Sequence, residues 1–165
     1  MADAQLSESA DRQSRRCPIV AIGASAGGIP ALERFFAALP EDPGVAFVVV
    51  LHLSASHQSH LVPVLQRLSS LDVVEVEDRA AIKPNCIYVI APNSVLTVTD
   101  DALQASSPDS ELDRRHPIDA IFRSLAEQRG AEAVCIVLSG SGSNGTAGAQ
   151  RVREMEGLVL VQDPA

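Results

Sequence analysis

Tryptophan is absent from this 165-residue chain, and aromatic residues make up 3% of it. A surface that stacks nucleic-acid bases needs exposed rings, and few are on offer. Positive charge is also short, with 13 Lys and Arg against 21 Asp and Glu and a formal net charge of −8. Without a basic stripe the composition argues against a nucleic-acid partner. No apolar run reaches the roughly 18–20 residues of a membrane span. The opening MADAQLSESADRQSRR is polar and has no apolar signal core. The expectation is a cytoplasmic protein without membrane insertion. Cys17, Cys86 and Cys135 are odd in number, widely spaced and without a C-x-x-C, which fits reduced thiols. Cys86 and Cys135 lie in apolar runs and read as small core residues. His57 and His60 make only half a zinc site, and no H-E-x-x-H or cysteine pair accompanies them. Neither a metal nor a cofactor is expected.

What remains is an ordinary globular composition, 46% hydrophobic and 21% charged. Residues 1–17 read as a disordered polar segment. Residues 18–165 read as a single domain with one sizeable core.

The stretch around which the domain is organised is PIVAIGASAGG, Pro18 to Gly28. A short apolar run stops at a glycine, presents one serine, and passes through two glycines into the amphipathic IPALERFFAAL. That pattern predicts a buried strand, a sharp turn, and a helix over Ile29–Leu39 with Pro30 in its first turn. Gly23-Ala24-Ser25-Ala26-Gly27 fits G-x-S-x-G, the nucleophile elbow. A serine at such a corner presents its Oγ above the sheet edge, beside helix N–H groups that have no intrahelical partner and can hold an anion. Two other readings share these residues. A dinucleotide fingerprint needs a glycine where Ser25 stands and an acidic residue after the second strand. In a plain structural turn, Ser25 only caps the helix.

The second strand, Val45–Leu51, is apolar without alternation, as expected when helices cover both faces of a parallel sheet. His52 follows it. In open parallel sheets the working crevice lies beyond the carboxyl ends of the strands. Ser25 and His52 are therefore a candidate nucleophile and general base on one rim. A histidine merely satisfied by backbone is the bland alternative for His52.

Farther along, Leu61–Leu68 predicts a helix, and Val73–Val76 and Cys86–Ile90 predict strands. Val95–Thr99 with Ala102–Ala105 predicts a hairpin at one edge of the sheet. Ser106–Arg115 reads as a charged loop that leads to His116, and Arg114, Arg115 and His116 either hold acidic ligand groups or are solvated. A helix over Ile118–Gln128 follows, with Asp119 suited to its dipole. The strand Ala133–Leu138 opens into the glycine- and serine-rich stretch 139–148 on the same rim. A helix over Ala147–Met155 and a last strand, Leu158–Val161, complete the chain. The loop lacks the lysine of a phosphate loop. The fold expected is an open, doubly wound, mostly parallel α/β sheet with helices on both faces.

Read together, IGASAGG, LHLS, YVIAPN, RRHPIDAIFRSLAE and VLSGSGSNGTAG followed by GLVLVQDP resemble the catalytic domain of chemotaxis receptor protein-glutamate methylesterases (CheB type). The likeness is greatest to the version fused to a receptor methyltransferase. The pieces keep the family's order over residues 18–165. The resemblance implies hydrolysis of γ-glutamyl methyl esters on the cytoplasmic helices of methylated chemoreceptors, with receptor glutamine deamidation in some members. A receptor methyltransferase domain is a further implied partner. By motif, Ser25 is the nucleophile, His52 the general base and position 144 the group that orients the histidine. Ala26, Gly27, Ser141 and Arg115 are the implied oxyanion and substrate contacts. The family carries aspartate where this chain has Asn144, so weakened activity is expected, and a receptor- or methyltransferase-binding module is the alternative. A generic small-ester hydrolase is a more distant one. The family's receiver domain has no counterpart here, and its catalytic domain ordinarily runs on past Gln162-Asp163-Pro164. Two readings follow, a domain without its last elements or a fragment.

Overall fold

The computed structural model describes residues 16–52, 61–138 and 143–163. Its centre is a six-stranded, wholly parallel sheet. The strands in chain order are β1 (Ile19–Ser25), β2 (Ala46–His52), β3 (Asp72–Val76), β5 (Cys86–Ile90), β8 (Val134–Val137) and β9 (Leu158–Val161). They lie in the order β3-β5-β2-β1-β8-β9. The order runs both ways from β1, as in doubly wound sheets with a crevice at the strands' carboxyl ends.

The apolar strands alternate between two cores. Ile19 and Ala21 of β1, with Ala46, Val48 and Val50 of β2, face one core. Ile22 and Ala24, with Phe47, Val49 and Leu51, face the other. The second face is covered by α1 (Ile29–Ala37) and α2 (Leu61–Leu68), through Leu32, Phe36, Leu61 and Leu65. Phe35, Phe36 and Phe47 meet there edge to face, with ring centroids 5.3–5.9 Å apart.

The first face is covered by α4 (Pro117–Arg129), flanked by α5 (Thr146–Glu154). Ile118, Ile121, Phe122, Leu125 and Ala126 form the apolar stripe of α4. The outer side of α4 is covered as well. The expected hairpin, β6 (Val95–Thr99) and β7 (Ala102–Ser106), pairs with the short β4 (Arg79–Ala81) to make a separate antiparallel sheet, β4-β7-β6. Leu96, Val98, Leu103 and Ala105 of this small sheet join the α4 core. Ser124 accepts from Val98 N at 3.0 Å, and Arg129, buried at the end of α4, donates to Asp100 O at 3.3 Å and Asp101 Oδ1 at 3.2 Å.

Several expected boundaries move. The first helix ends two residues sooner, at Ala37, and β2 starts one residue later and includes His52. A single 3₁₀ turn, Ala26–Gly28, separates β1 from α1. The expected loop before α4 contains α3 (Glu111–Arg115), whose N-cap Ser110 accepts from Asp113 N at 3.1 Å and donates to Asp113 Oδ2 at 2.7 Å. The turns at Pro84-Asn85 and Pro92-Asn93 place both asparagines at positive φ, 60° and 55°, a region that short polar side chains tolerate. Cys86 and Cys135 are buried in strands. Among the described residues no helix is long and apolar enough to cross a membrane. His57, His60 and Ser141 lie outside the described residues.

Candidate active site

Ser25 and His52 are the last residues of β1 and β2, and they are register partners across the parallel pair. Neighbouring strands are about 4.8 Å apart, and partners in register point to the same face. Counting by two from Ile19 and Ala46 puts both residues on the α4 face. His52 is exposed and Ser25 half-buried. The chain then enters the 3₁₀ turn. A Cβ built on Gly27 would stand 3.9 Å from Ser25 Oγ, so the hydroxyl lies over the glycine. The amides of Ala26 and Gly27 belong to that turn, directly ahead of α1.

The α4 helix begins at the same rim. Gly23, two residues before Ser25, faces Ile118 so closely that a Cβ on Gly23 would overlap Ile118 Cγ2. The far end of α4 lies by Asp101, which Arg16 also approaches at 3.7 Å, below the start of β1. The helix therefore runs antiparallel to β1, and its first turn is at the carboxyl end of the sheet.

Asn144 is tied to that first turn. Its Oδ1 accepts from Ile118 N at 3.2 Å, and its Nδ2 donates to Arg115 O at 3.2 Å. Gly145 follows at φ 95° and caps α5. A Cβ on Gly145 would come within 2.9 Å of Ile118 Cγ2. The turn at 144–145 thus depends on a residue that accepts left-handed backbone and adds no bulk.

Arg115, expected to meet substrate, holds its guanidinium beside Glu111. It is 70% exposed, and its Nε lies 3.0 Å from Glu111 Oε1. What it contributes near Asn144 is its backbone carbonyl.

Two residues take a larger part than the sequence showed. Asp119 looks like an ordinary acidic residue in a first helical turn, yet it is buried, at 7% exposure. Its Oδ1 accepts from Gly148 N at 2.7 Å and ties α4 to α5. His116, the N-cap of α4, places Nδ1 3.3 Å from Asp119 Oδ2. Nδ1 is buried and has no formed hydrogen bond. A histidine and an aspartate three residues apart at a helix start was the available signal, since such spacing brings two side chains together.

The rim thus offers a hydroxyl, two imidazoles, amides at the start of α1, and a carboxylate behind one imidazole. That is the inventory for acyl transfer. Among the described residues no group of three or more His, Cys, Asp and Glu is arranged to hold a metal ion.

Comparison with known proteins points the same way. The family model for the CheB methylesterase matches residues 20–165. A relative from Leptospira interrogans is 31% identical over 146 residues, 88% of this chain and 76% of its own length. The protein-glutamate methylesterase/protein-glutamine glutaminase of Maricaulis maris is 34% identical over 161 residues, 93% of this chain but only 39% of the Maricaulis protein. The crystal structure of the Thermotoga maritima CheB methylesterase catalytic domain superposes with a TM-score of 0.81 at 27% identity, covering 90% of this chain and 80% of that one.

Proposed function

The chain belongs to the CheB methylesterase family, and on that footing we propose that it hydrolyses γ-glutamyl methyl esters on the cytoplasmic helices of chemoreceptors, as one catalytic domain over residues 18–165. Ser25 is the nucleophile and His52 the general base. The observation that carries this reading is the register pairing of Ser25 with His52 at the carboxyl ends of neighbouring strands. A hydroxyl and an imidazole on adjacent strands and one face come within proton-transfer reach by side-chain rotation.

In the first half of the reaction Ser25 Oγ attacks the ester carbonyl while His52 takes its proton. The Ala26 and Gly27 amides stabilise the oxyanion. The carbon–methoxy bond breaks, and the methoxide takes the proton from His52 and leaves as methanol. Water then hydrolyses the seryl ester. A receptor glutamine follows the same course with ammonia as the leaving group, in keeping with the two activities in the Maricaulis protein's name.

Asn144 limits the rate. It accepts hydrogen bonds but carries no charge to stabilise an imidazolium. The analogous change in a serine protease costs about 10⁴ in turnover. The same residue favours a second reading, a module that binds receptor helices or a receptor methyltransferase with little turnover, because both polar atoms of Asn144 are engaged in holding α4.

Methanol release from a methylated receptor fragment tests the proposal. The protein releases methanol, Ser25→Ala abolishes release, and His52→Gln lowers it by about 10³-fold or more. Binding of the fragment without release, and no labelling of Ser25 by a phosphonate, would leave the binding module as the function.

A further inference from the structure

Leu112 of α3 is 67% exposed, and the polar side chains around it are already engaged with one another. Ser110 holds Asp113. The single Glu111 carboxylate faces two arginines, Arg114 Nη1 at 3.5 Å and Arg115 Nε at 3.0 Å. Among the described residues Arg114 and Arg115 are the one pair of basic residues adjacent in sequence. In a chain of net charge −8, α3 therefore shows a bare apolar side chain beside two guanidiniums that share one carboxylate.

The backbone of α3 is fixed to the rim. His116 N donates to Leu112 O at 2.9 Å, and Arg115 O accepts from Asn144 Nδ2. Arg115 is three residues before Ile118, which packs on Gly23, and Ser25 is two residues beyond Gly23. Consecutive Cα atoms are 3.8 Å apart, so the end of α3 and the Ser25 backbone both lie within about 11 Å of that one contact. Ser25 faces the α4 side, where α3 stands. A helix with its side chains is about 10–12 Å across, wide enough to touch both.

We propose that α3 is a docking surface for the glutamate-bearing receptor helix, with Leu112 as its apolar contact and Arg114 and Arg115 as its carboxylate contacts. This rests on the receptor reading above. The chemistry of that reading supplies the complementary charge. Each hydrolysed ester leaves a glutamate carboxylate on the helix, so a substrate with several sites carries negative charge beside its remaining esters. Ion pairs between exposed side chains are weakly held. An arginine that shares Glu111 therefore exchanges it for a receptor carboxylate at little cost. Leu112 meanwhile loses water against the apolar side of the helix. The two contacts together favour a partly demethylated helix over one whose glutamates are all esterified or replaced by neutral residues.

The test is binding of a methylated receptor fragment that retains free glutamates, measured with the Ser25→Ala chain so that nothing turns over. Leu112→Ser and Arg114→Glu are each expected to raise the dissociation constant about tenfold, the loss of one well-placed contact. Glu111→Gln releases both arginines and is expected to lower it. On a fragment whose free glutamates are replaced by glutamine, the effect of Arg114→Glu shrinks to within twofold while that of Leu112→Ser persists, which isolates the charge contact. The substituted side chains are exposed, so melting temperatures stay at the parent value. Dissociation constants within twofold of the parent for both Leu112→Ser and Arg114→Glu would overturn the assignment. Methanol release by the unsubstituted protein decides the hydrolase reading separately. Binding without release removes that reading and leaves this surface standing, whereas a protein that neither binds nor releases removes both.

Discussion

Gly148 and Asp119 meet twice at the crossing of α4 and α5. The Gly148 amide donates to Asp119 Oδ1 at 2.7 Å, and a Cβ on Gly148 would stand 3.0 Å from both Asp119 Cα and Asp119 O, and 2.6 Å from Phe122 Cβ. Two of these obstacles are backbone, which does not rotate away. Gly148→Ala is therefore expected to destabilise the fold by about 1–3 kcal/mol, the range for overpacking a filled contact. Urea unfolding monitored by circular dichroism measures it. An unchanged midpoint would mean that the helices separate at little cost.

Asn144→Asp is expected to raise turnover and lower stability together. One carboxylate oxygen still accepts from Ile118 N, a donor at a helix start that favours negative charge. The other oxygen loses the bond to Arg115 O and is set against a carbonyl. The lost bond costs about 1–2 kcal/mol, and the repulsion turns that oxygen towards the rim. The charge gained there is expected to speed methanol release by between about 10- and 10⁴-fold. Kinetics and urea unfolding on the same preparations check both signs. Equal rates would show that charge at position 144 has no part in the chemistry.

Stability is expected to fall in alkali. Burial pushes the Cys135 thiol up to about 12 and raises the Cys86 thiol and the Tyr88 hydroxyl. Tyr88 is also committed, donating to Ala81 O at 2.8 Å and accepting from Lys83 N at 2.9 Å. In the unfolded chain thiols ionise near about 8.5. Above that pH the unfolded state binds fewer protons than the folded one, so stability falls as pH rises. The contribution is complete below about 8.5 and is lost towards 12. Unfolding midpoints between pH 7 and 11 test this, and Cys135→Ala should flatten the slope. A flat curve in the parent protein would contradict the burial of these groups.

Much of the architecture was legible because one-dimensional patterns carry it. Leu61–Leu68, Cys86–Ile90, Val95–Thr99 and Leu158–Val161 form over the expected residues, each an apolar run bounded by turn formers. The rim placement of Ser25 and His52 followed from where the first two runs stop. β4 was missed because Arg79–Ala81 is three residues long, follows the charged Glu77-Asp78, and owes its existence to pairing with β7. α3 was missed for its charge and brevity, although Ser110 and Asp113 have the spacing of a capping pair. The burial of Asp119 could not be read locally, because it depends on Gly148, 29 positions away, closing over it. The pairing of Arg115 was hidden for a related reason. The charge that engages its side chain, Glu111, sits one turn back on a helix that was read as a loop.

The small antiparallel sheet has a mechanical consequence for α4. A helix gripped by the large sheet on one side and by β6 and β7 on the other makes a poor hinge. Its Ser124, Gln128 and Arg129 are anchored to β6 and to the turn after it. Its opening turn therefore acts as a fixed anvil, and any opening that admits a bulky partner has to come from the opposite flank, where among the described residues α1 and α2 lack such a brace.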